Sequence, residues 1–261
     1  MIEVLKSADD LARQKWDVLV PTMGALHPGH QSLIKIAKNY GQKIVVSIFV
    51  NPLQFENKAD LNNYPKTIEA DLQIAKDAGA SAIFLPSEKE IYPGDVERID
   101  AGVLGDLYEG ASRNGHFSGV LTVVKRLFDL VKPKHAIFGE KDFQQLFLIK
   151  EMVAKLQIPV NIISAPTIRD VNELALSSRN TRLTESEKKV ASVIFQALST
   201  ENLAQAKAIL DSQPSFKLDY LNLIDEKTFA EAHQSTENKR LIIAGWVNQV
   251  RLIDNKAIGG R

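Results

Sequence analysis

Short apolar runs alternate with longer amphipathic stretches between residues 17 and 166. The apolar runs are rich in Val and Ile and cover residues 17–22, 43–50, 81–86, 135–139 and 160–166. Continuous runs of this kind predict strands that are buried on both faces. The stretches between them have helical periodicity, as where Ile68, Leu72, Ala75 and Ala78 share one face before Gly79. The pattern predicts a doubly wound, Rossmann-like parallel sheet of the α/β class.

The pattern changes after about residue 180. Thr184 and Glu187 have the spacing of a capping box that opens a helix. Another helical stretch follows, and then apolar runs at 216–224 and 240–254. We therefore expect two domains: a larger Rossmann-like domain of residues 1–176 and a smaller α+β C-terminal domain of residues 177–261.

Composition excludes several classes of function. The chain of 261 residues has 32 basic and 32 acidic side chains, so no overall field attracts nucleic acid or an anionic membrane. It has no cysteine, which rules out disulfides, thiolate nucleophiles and the usual structural zinc sites and favours the reducing cytoplasm. The N-terminus does not resemble a signal peptide, and no apolar run reaches membrane-spanning length. We expect neither nucleic-acid nor membrane partners.

Polar side chains follow the predicted strands at the points where ligands bind in open parallel sheets. His27 and His30 follow the first run, Asn51 and Gln54 the second, Lys141, Asp142 and Gln145 a later one, and Ser177, Ser178 and Arg179 the last. Because the carboxyl ends of parallel strands lie at the same edge of a sheet, we expect these four clusters to converge there.

The histidines and the lysine each have two interpretations. His27 and His30 are either surface residues or half of a metal site, but Gly29 and the start of a helix favour phosphate as their ligand. Lys141 beside Asp142 is either a solvated pair worth under about 1 kcal/mol or a point charge for a phosphate in transfer.

The other two clusters are equally open. Asn51 and Gln54 are ordinary turn formers or ligands of a small polar substrate, because amides offer both a donor and an acceptor. The Ser177–Arg179 segment is a turn between domains or a clasp for triphosphate oxygens.

Absent motifs narrow the nucleotide-binding class. The chain contains no G-x-x-x-x-G-K-[ST] loop, no G-x-G-x-x-G after the first predicted strand and no G-x-S-x-G elbow. A phosphate site built from H-x-G-H at the end of the first strand belongs to a different nucleotide-binding group.

Five segments, in this order, closely resemble the pantothenate synthetase family. They are PTMGALHPGH, SIFVNPLQF, GHFSGVLTVVKRLF, FGEKDFQQL and LALSSRN. The resemblance runs from about residue 18 to 190 and returns at RLID near the end. It implies an ATP-dependent ligase of the HIGH-motif nucleotidylyltransferase-like group. Such an enzyme joins pantoate to β-alanine through pantoyl adenylate, releases AMP and pyrophosphate, and serves coenzyme A biosynthesis.

The resemblance also implies roles for particular residues. His27, His30 and Lys141 would be catalytic, with Lys141 against the α-phosphate. The implied ATP contacts are Met23, His27, His30, Gly139, Lys141, Asp142, Ser177, Ser178 and Arg179, and the implied pantoate contacts are Gln54, Gln145 and Asn51. Asp71 matches an acidic position near Mg²⁺, and the family suggests a homodimer.

The chain departs from the family pattern in three places. Asn172 and Glu173 stand where an acid and a glycine are usual, Asn114 replaces a proline, and Ala70 precedes Asp71 where an acidic pair is common. A glycine tolerates backbone shapes that glutamate resists, and a carboxylate beside a triphosphate would repel it. We expect either weaker nucleotide binding or a Glu173 side chain that points away.

Two other functions compete with the ligase. A nucleotidylyltransferase acting on a phosphorylated small molecule would share the first motif, but it would keep the nucleotide on its product and would not need the amide pairs. A non-catalytic sensor would bind ATP without turnover, and Glu173 is the feature that favours it.

Overall fold

The apolar runs of the first part of the chain form a parallel sheet in the computed structural model, which describes residues 2–56 and 58–259. Its strands are β1 (Glu3–Leu5), β2 (Val18–Thr22), β3 (Ile44–Ile48), β4 (Ala82–Phe84), β5 (His135–Gly139) and β6 (Asn161–Ala165). The order is β1-β4-β3-β2-β5-β6, and every pairing is parallel. The five predicted strands are confirmed. The sequence pattern missed β1, because only Leu5 of its three residues is buried.

Both faces of this sheet are buried, which is why its strands read as continuous apolar runs. Val20, Val46 and Ile83 lie in one hydrophobic cluster with residues of two helices, and each has 0% exposure. Leu19 and Val45 alternate with them, so they point to the opposite face, and they are equally buried. From β2, the strands β3 and β4 are added toward one edge of the sheet, and from β5, the strand β6 is added toward the other edge. The order of strand addition therefore reverses between β2 and β5. Ligands bind at such a switch point in doubly wound sheets.

The helices that accompany this sheet are α1 (Ala8–Ala12), α2 (Pro28–Ala37), α3 (Lys58–Asn62), α4 (Ile68–Ala78), α5 (Glu88–Ile91), α6 (His116–Val131) and α7 (Phe143–Lys155). Short 3₁₀ turns cover Pro52–Gln54 and Val103–Asp106. The predicted end of α4 is confirmed, because Gly79 adopts a left-handed conformation with φ +101° directly after Ala78. Within the described ranges 2–56 and 58–259, no helix is both long enough and apolar enough to span a bilayer.

The later part of the chain forms an antiparallel sheet with three short helices among its described residues. The helices are α8 (Glu185–Ala191), α9 (Val193–Ser199) and α10 (Leu203–Asp211), and the strands are β7 (Phe216–Asp225), β8 (Lys239–Val247) and β9 (Val250–Ile258). The order is β7-β8-β9. The capping box is confirmed, since Glu187 N–H donates to Thr184 Oγ1 at 3.3 Å and Thr184 N–H donates to Glu187 Oε2 at 2.8 Å.

The chain divides into two units. Unit 1 contains Met1–Gly139 and Gln145–Pro166, and unit 2 contains Glu140–Gln144 and Thr167–Arg261. The predicted division at residue 177 therefore lies ten residues later than the start of the long segment of unit 2 at Thr167. The physical reason is packing: Leu174 belongs to the hydrophobic cluster of unit 2, and Arg169 forms an ion pair with Asp254. Residues 140–144, which directly follow β5, also belong to unit 2.

Gly119 lets α6 approach the 3₁₀ turn Pro52–Gln54 closely. A Cβ atom at Gly119 would lie 2.2 Å from the carbonyl oxygen of Leu53 and 2.5 Å from its carbonyl carbon. Both atoms belong to backbone, so neither can swing aside as a side chain would. The packing of α6 against this turn therefore depends on the missing side chain.

We predict that Gly119→Ala destabilises the protein. In an exposed helix, glycine to alanine raises the free energy of unfolding by up to about 1 kcal/mol. Here overpacking against backbone lowers it by about 1–3 kcal/mol, so the net effect is destabilising. Thermal unfolding would measure a lower Tm. Asp129→Ala, at an exposed position of the same helix, serves as the control and should shift stability by less than about 0.5 kcal/mol. A Tm for Gly119→Ala equal to or above that of the parent chain would contradict the close approach.

Candidate active site

His27 and His30 form the beginning of α2 in unit 1. His27 is the N-cap residue, and its Nδ1 accepts from the N–H of Gly29 at 3.1 Å. His30 Nδ1 accepts in turn from the N–H of His27 at 3.3 Å. The ring centroids lie 4.0 Å apart. The two imidazoles therefore act as a reciprocal cap, which places them together at the positive end of a helix.

This capping arrangement also determines the tautomer of each ring. A neutral imidazole that accepts a hydrogen bond on Nδ1 carries its proton on Nε2. In both rings, Nε2 is consequently a donor. Two N–H donors at a helix N-terminus suit the oxygens of a phosphate, because the helix dipole favours negative charge there. The phosphate interpretation of the H-x-G-H motif thus has a geometric basis.

Asp71 holds the loop that leads into α2. Its Oδ2 accepts from Ala25 N–H at 3.0 Å, and its Oδ1 accepts from Leu26 N–H at 2.7 Å and from Thr67 Oγ1 at 3.1 Å. Gly24 and Ala25 both have left-handed backbone, with φ +85° and +51°. Hydrogen bonds to a charged group contribute about 1.5–3 kcal/mol each, more than the strain at Ala25 of about 1–2 kcal/mol.

The structure gives Asp71 a structural role that the resemblance did not imply. Its side chain is 1% exposed, and both carboxylate oxygens accept hydrogen bonds within the protein. Among residues 2–56 and 58–259, no three His, Asp or Glu side chains form a group able to hold a metal ion. Asp71 anchors the loop that carries Met23 and leads to His27, and its role near Mg²⁺ stays a prediction.

Asn51 and Gln54 form a buried amide pair after β3. Asn51 Nδ2 donates to Gln54 Oε1 at 3.1 Å and to the carbonyl of Gly119 at 3.0 Å. The Gln54 amide nitrogen lies 2.8 Å from the sulfur of Met23. The amide pair after β3 is therefore in contact with the loop after β2, through Met23. A small polar ligand would meet fixed donors and acceptors here.

Two residues that sequence reasoning did not select support this pair. The hydroxyl of Tyr92 donates to Asn51 Oδ1 at 2.7 Å, and burial raises the pKa of that phenol, which keeps it protonated. His116 Nδ1 lies 2.9 Å from the carbonyl oxygen of Gln54. His116 stands inside the GHFSG segment of the family resemblance, which was a usable indication; Tyr92 lies in no such segment.

Unit 2 contains a cleft whose charged lining is three basic side chains and the carboxylate of Asp254, and we call it the cationic cleft because basic groups predominate. Lys141, Ser177, Arg179 and Asn180 line it, together with Arg251 and six other residues. Ser177 Oγ accepts from the N–H of Arg179 at 3.3 Å and so opens the 3₁₀ turn Ser178–Arg182. The lysine and the SSRN segment, far apart in sequence, thus share one surface of unit 2. Hydroxyl groups beside guanidinium and ammonium groups suit polyphosphate oxygens.

The loop before SSRN confirms one expectation about Glu173. Its φ is +61°, in the left-handed region where glycine is favoured. Asp170 Oδ1 closes the turn by accepting from the N–H groups of Asn172 at 2.8 Å and Leu174 at 3.0 Å. The Glu173 side chain is exposed and does not line the cleft. Its carboxylate is therefore not part of the cleft lining.

The predicted site residues fall into two sets, one in each unit. Met23, His27, His30, Asn51, Gln54, Gly139 and Gln145 belong to unit 1, and Lys141, Asp142, Ser177, Ser178 and Arg179 belong to unit 2. Gly139 is the last residue of β5, and Gln145 is half-buried in the first turn of α7. Asp142 is 49% exposed in its side chain and lies 3.6 Å from the Lys141 ammonium. The roles of these residues toward ligands stay predictions.

Comparison with known proteins gives consistent matches. The family model for pantoate-beta-alanine ligase matches residues 2–257. Pantothenate synthetase from Acidothermus cellulolyticus is 46% identical over 253 residues, which cover 90% of this chain and 83% of that protein. Pantothenate synthetase from Mycolicibacterium smegmatis is 45% identical, with 92% of this chain and 80% of that protein covered.

Solved structures agree with the sequence matches. Pantothenate synthetase from Thermus thermophilus superposes with a TM-score of 0.92 at 38% identity, covering 98% of this chain and 99% of that one. Pantoate-beta-alanine ligase from Francisella tularensis, solved with beta-gamma ATP and beta-alanine, gives a TM-score of 0.83 at 38% identity over 98% of this chain and 97% of that one. The fold, the ordered motifs and these matches agree, and the chain belongs to the pantoate-β-alanine ligase family.

Proposed function

We propose that this chain condenses pantoate with β-alanine by way of pantoyl adenylate, with ATP as the source of AMP. The observation that carries the proposal is the contact of Gln54, which follows β3, with Met23 in the loop after β2. Gln54 lies 2.8 Å from Met23, in the loop that leads to the capped histidines of α2. A polar amide pair therefore lies in direct contact with the loop that opens the anion-binding helix end.

In the first step, a carboxylate oxygen of pantoate attacks the α-phosphorus of ATP. A new P–O bond forms, the bond from the α-phosphorus to the bridging oxygen of the β-phosphate breaks, and pyrophosphate leaves. Pantoate supplies its own nucleophile, so the protein needs to orient it and to stabilise charge. Gln54, Asn51 and Gln145 are proposed to hold pantoate, because amides donate to carboxylate oxygens and accept from hydroxyls.

The proposed ATP contacts come from both sets of residues. In unit 1, the Nε2–H groups of His27 and His30 donate to phosphate oxygens, with Met23 and Gly139 beside the nucleotide. In unit 2, the cationic cleft supplies Lys141 for the α-phosphate and Ser177, Ser178 and Arg179 for the leaving pyrophosphate, with Asp142 on the nucleotide side. Positive groups that face developing phosphate charge lower the barrier of the transfer.

In the second step, the amine of β-alanine attacks the carbonyl carbon of pantoyl adenylate. The C–N bond forms, the bond between that carbon and the phosphate oxygen breaks, and AMP leaves while the amine loses a proton. The β-alanine complex of the Francisella tularensis ligase supports this second substrate. Because acyl adenylates hydrolyse readily, the residues around the carbonyl must exclude water between the two steps.

Mg²⁺ commonly accompanies ATP through phosphate oxygens. No group of three His, Asp or Glu side chains that could hold an ion without ATP occurs among residues 2–56 and 58–259, and both oxygens of Asp71 already accept hydrogen bonds. We propose that Mg²⁺ arrives as the counter-ion of ATP. The absence of cysteine supports a cytoplasmic location, and a homodimer is proposed from the family alone.

Nucleotide release distinguishes the ligase from a nucleotidylyltransferase. With ATP, Mg²⁺, pantoate and β-alanine, we expect free AMP and pantothenate in equal amounts, and AMP only when pantoate is present. Chromatography of the nucleotides and the acid product measures both. A product that keeps the nucleotide would favour the transferase, and ATP binding without turnover would favour a sensor.

We predict that Lys141→Ala loses turnover far more than stability. Removing a positive group from a transferring phosphate costs about 10²–10³ in kcat by analogy with other charge-stabilising groups. The surface ion pair with Asp142 is worth less than about 1 kcal/mol, so Tm should change little. Lys155→Ala, an exposed lysine on α7, is the control. Steady-state AMP release near the parent rate in Lys141→Ala would rule out the assigned role.

We also predict that Gln54→Ala impairs pantoate binding selectively. Loss of a hydrogen bond to the pantoate carboxylate, worth about 1.5–3 kcal/mol, raises the pantoate KM by roughly tenfold or more. The ATP KM should stay within about twofold, because the histidine cap remains intact. Gln73→Ala, on the exposed face of α4, is the matched control. Equal increases in both KM values would contradict a pantoate-specific role.

A further inference from the structure

The short turn that carries Lys141 is held by a side chain from the last strand of the chain. Asn255 lies on β9 and is 5% exposed. Its Nδ2 donates to the carbonyl oxygen of Glu140 at 2.9 Å and to that of Lys141 at 2.9 Å. One buried amide group therefore uses both of its N–H donors on two successive backbone carbonyls.

These two carbonyls define the backbone of Lys141. The carbonyl of Glu140 belongs to the peptide plane before the Lys141 Cα atom, and the carbonyl of Lys141 belongs to the plane after it. Because each peptide unit is planar, fixing both carbonyls fixes φ and ψ of the residue between them. The direction in which the Lys141 side chain leaves the backbone is thereby set.

Arg240 fixes the orientation of the Asn255 amide. Its Nη1 donates to Asn255 Oδ1 at 2.5 Å, which leaves Nδ2 facing the two carbonyls. A guanidinium has only donors, so the opposite orientation of the amide would place an NH₂ group against it. Arg240 is 6% exposed, and its Nε donates to Glu226 Oε1 at 2.7 Å.

The same arginine also contacts the residues on either side of the turn. Its guanidinium carbon lies 4.0 Å from the centre of the Phe143 ring, and its Nη2 lies 3.6 Å from Glu140 Oε2. Phe143 stacks on Phe229 with ring centres 5.9 Å apart. Residues 140–143 are therefore held at both ends as well as through the backbone of Lys141.

We propose that Asn255 is a positioning residue for Lys141 and directs its ammonium group toward the phosphate being transferred. Arg240 in turn orients the Asn255 amide. The inference rests on the proposed role of Lys141. A catalytic group must sit close to its productive geometry, and a displacement of about 1 Å can cost about 10²-fold in rate. A flexible lysine needs such a fixed backbone because its own side chain has many rotamers.

Asn255→Asp tests the proposal with little change of shape. The carboxylate still accepts from Arg240, but it cannot donate to the carbonyls of Glu140 and Lys141 and repels them instead. We expect kcat for AMP release to fall about 10–100-fold, with the ATP KM changed less than about threefold. Asn238→Asp, an exposed asparagine of unit 2, makes the same charge change and should keep the parent kcat.

A second variant and a double variant separate positioning from folding. Asn255→Ala removes both donors without adding charge and should show the same loss of kcat in folded protein, judged by circular dichroism and thermal unfolding. Combined with Lys141→Ala, either Asn255 variant should cause no further loss, because the group it positions is gone.

The outcomes are distinct. A parent kcat in folded Asn255→Asp or Asn255→Ala overturns the proposal, and so does a loss that adds fully to that of Lys141→Ala. If Lys141→Ala itself keeps the parent turnover, the proposed role of Lys141 fails, and the inference for Asn255 fails with it. If Lys141→Ala is inactive while the Asn255 variants are not, only the inference for Asn255 fails.

Discussion

A buried carboxylate that accepts two backbone N–H groups supports the loop between β2 and α2 in unit 1. Asp71 holds Ala25 and Leu26 in a loop with two successive left-handed residues, which the chain would not adopt unaided. The loop delivers the chain from β2 to the cap of α2. Without it, the two histidines would still cap a helix, but the helix would begin in a different place relative to the strand. The backbone N–H groups of the strained loop thus stabilise the buried carboxylate, and the carboxylate stabilises the loop.

In both units, the side-chain amide of a buried asparagine fixes a turn that carries a candidate site residue. In unit 1, the Asn51 amide bridges Gln54 and the backbone of α6, and in unit 2 the Asn255 amide bridges two backbone carbonyls. A buried amide is costly unless all its groups are paired, so it fits only one arrangement of its surroundings. That cost makes such a residue a strict determinant of local geometry. Each of these two segments is a single 3₁₀ turn of three residues, Pro52–Gln54 and Glu140–Asp142, and depends on this support.

The sequence predicted the strands of unit 1 well and its supporting contacts poorly. The run 43–50 is apolar apart from Lys43 and Ser47 because β3 is buried on both faces, whereas Glu3–Leu5 buries a single residue and leaves no pattern. The motif residues could be identified because each motif is a short continuous segment of the sequence. Asp71 and Asn255 act on partners 45 or 46 and 114 or 115 positions away, and no local period records such pairings. The loop-anchoring role of Asp71 was accordingly not predicted.

At Glu173, the expectation from the sequence agrees with the structure. The expectation that its position suits glycine follows from local chemistry alone, and the observed φ of +61° agrees with it. The turn tolerates glutamate because Asp170 accepts from two backbone N–H groups, and because Arg169 donates to the Glu173 carbonyl at 3.1 Å. These bonds involve backbone atoms, so they do not depend on which side chain is present. The strain stays local, and the exposed carboxylate is not part of the cleft lining. Glu173 therefore supports a sensor without turnover less than its place in the sequence suggested.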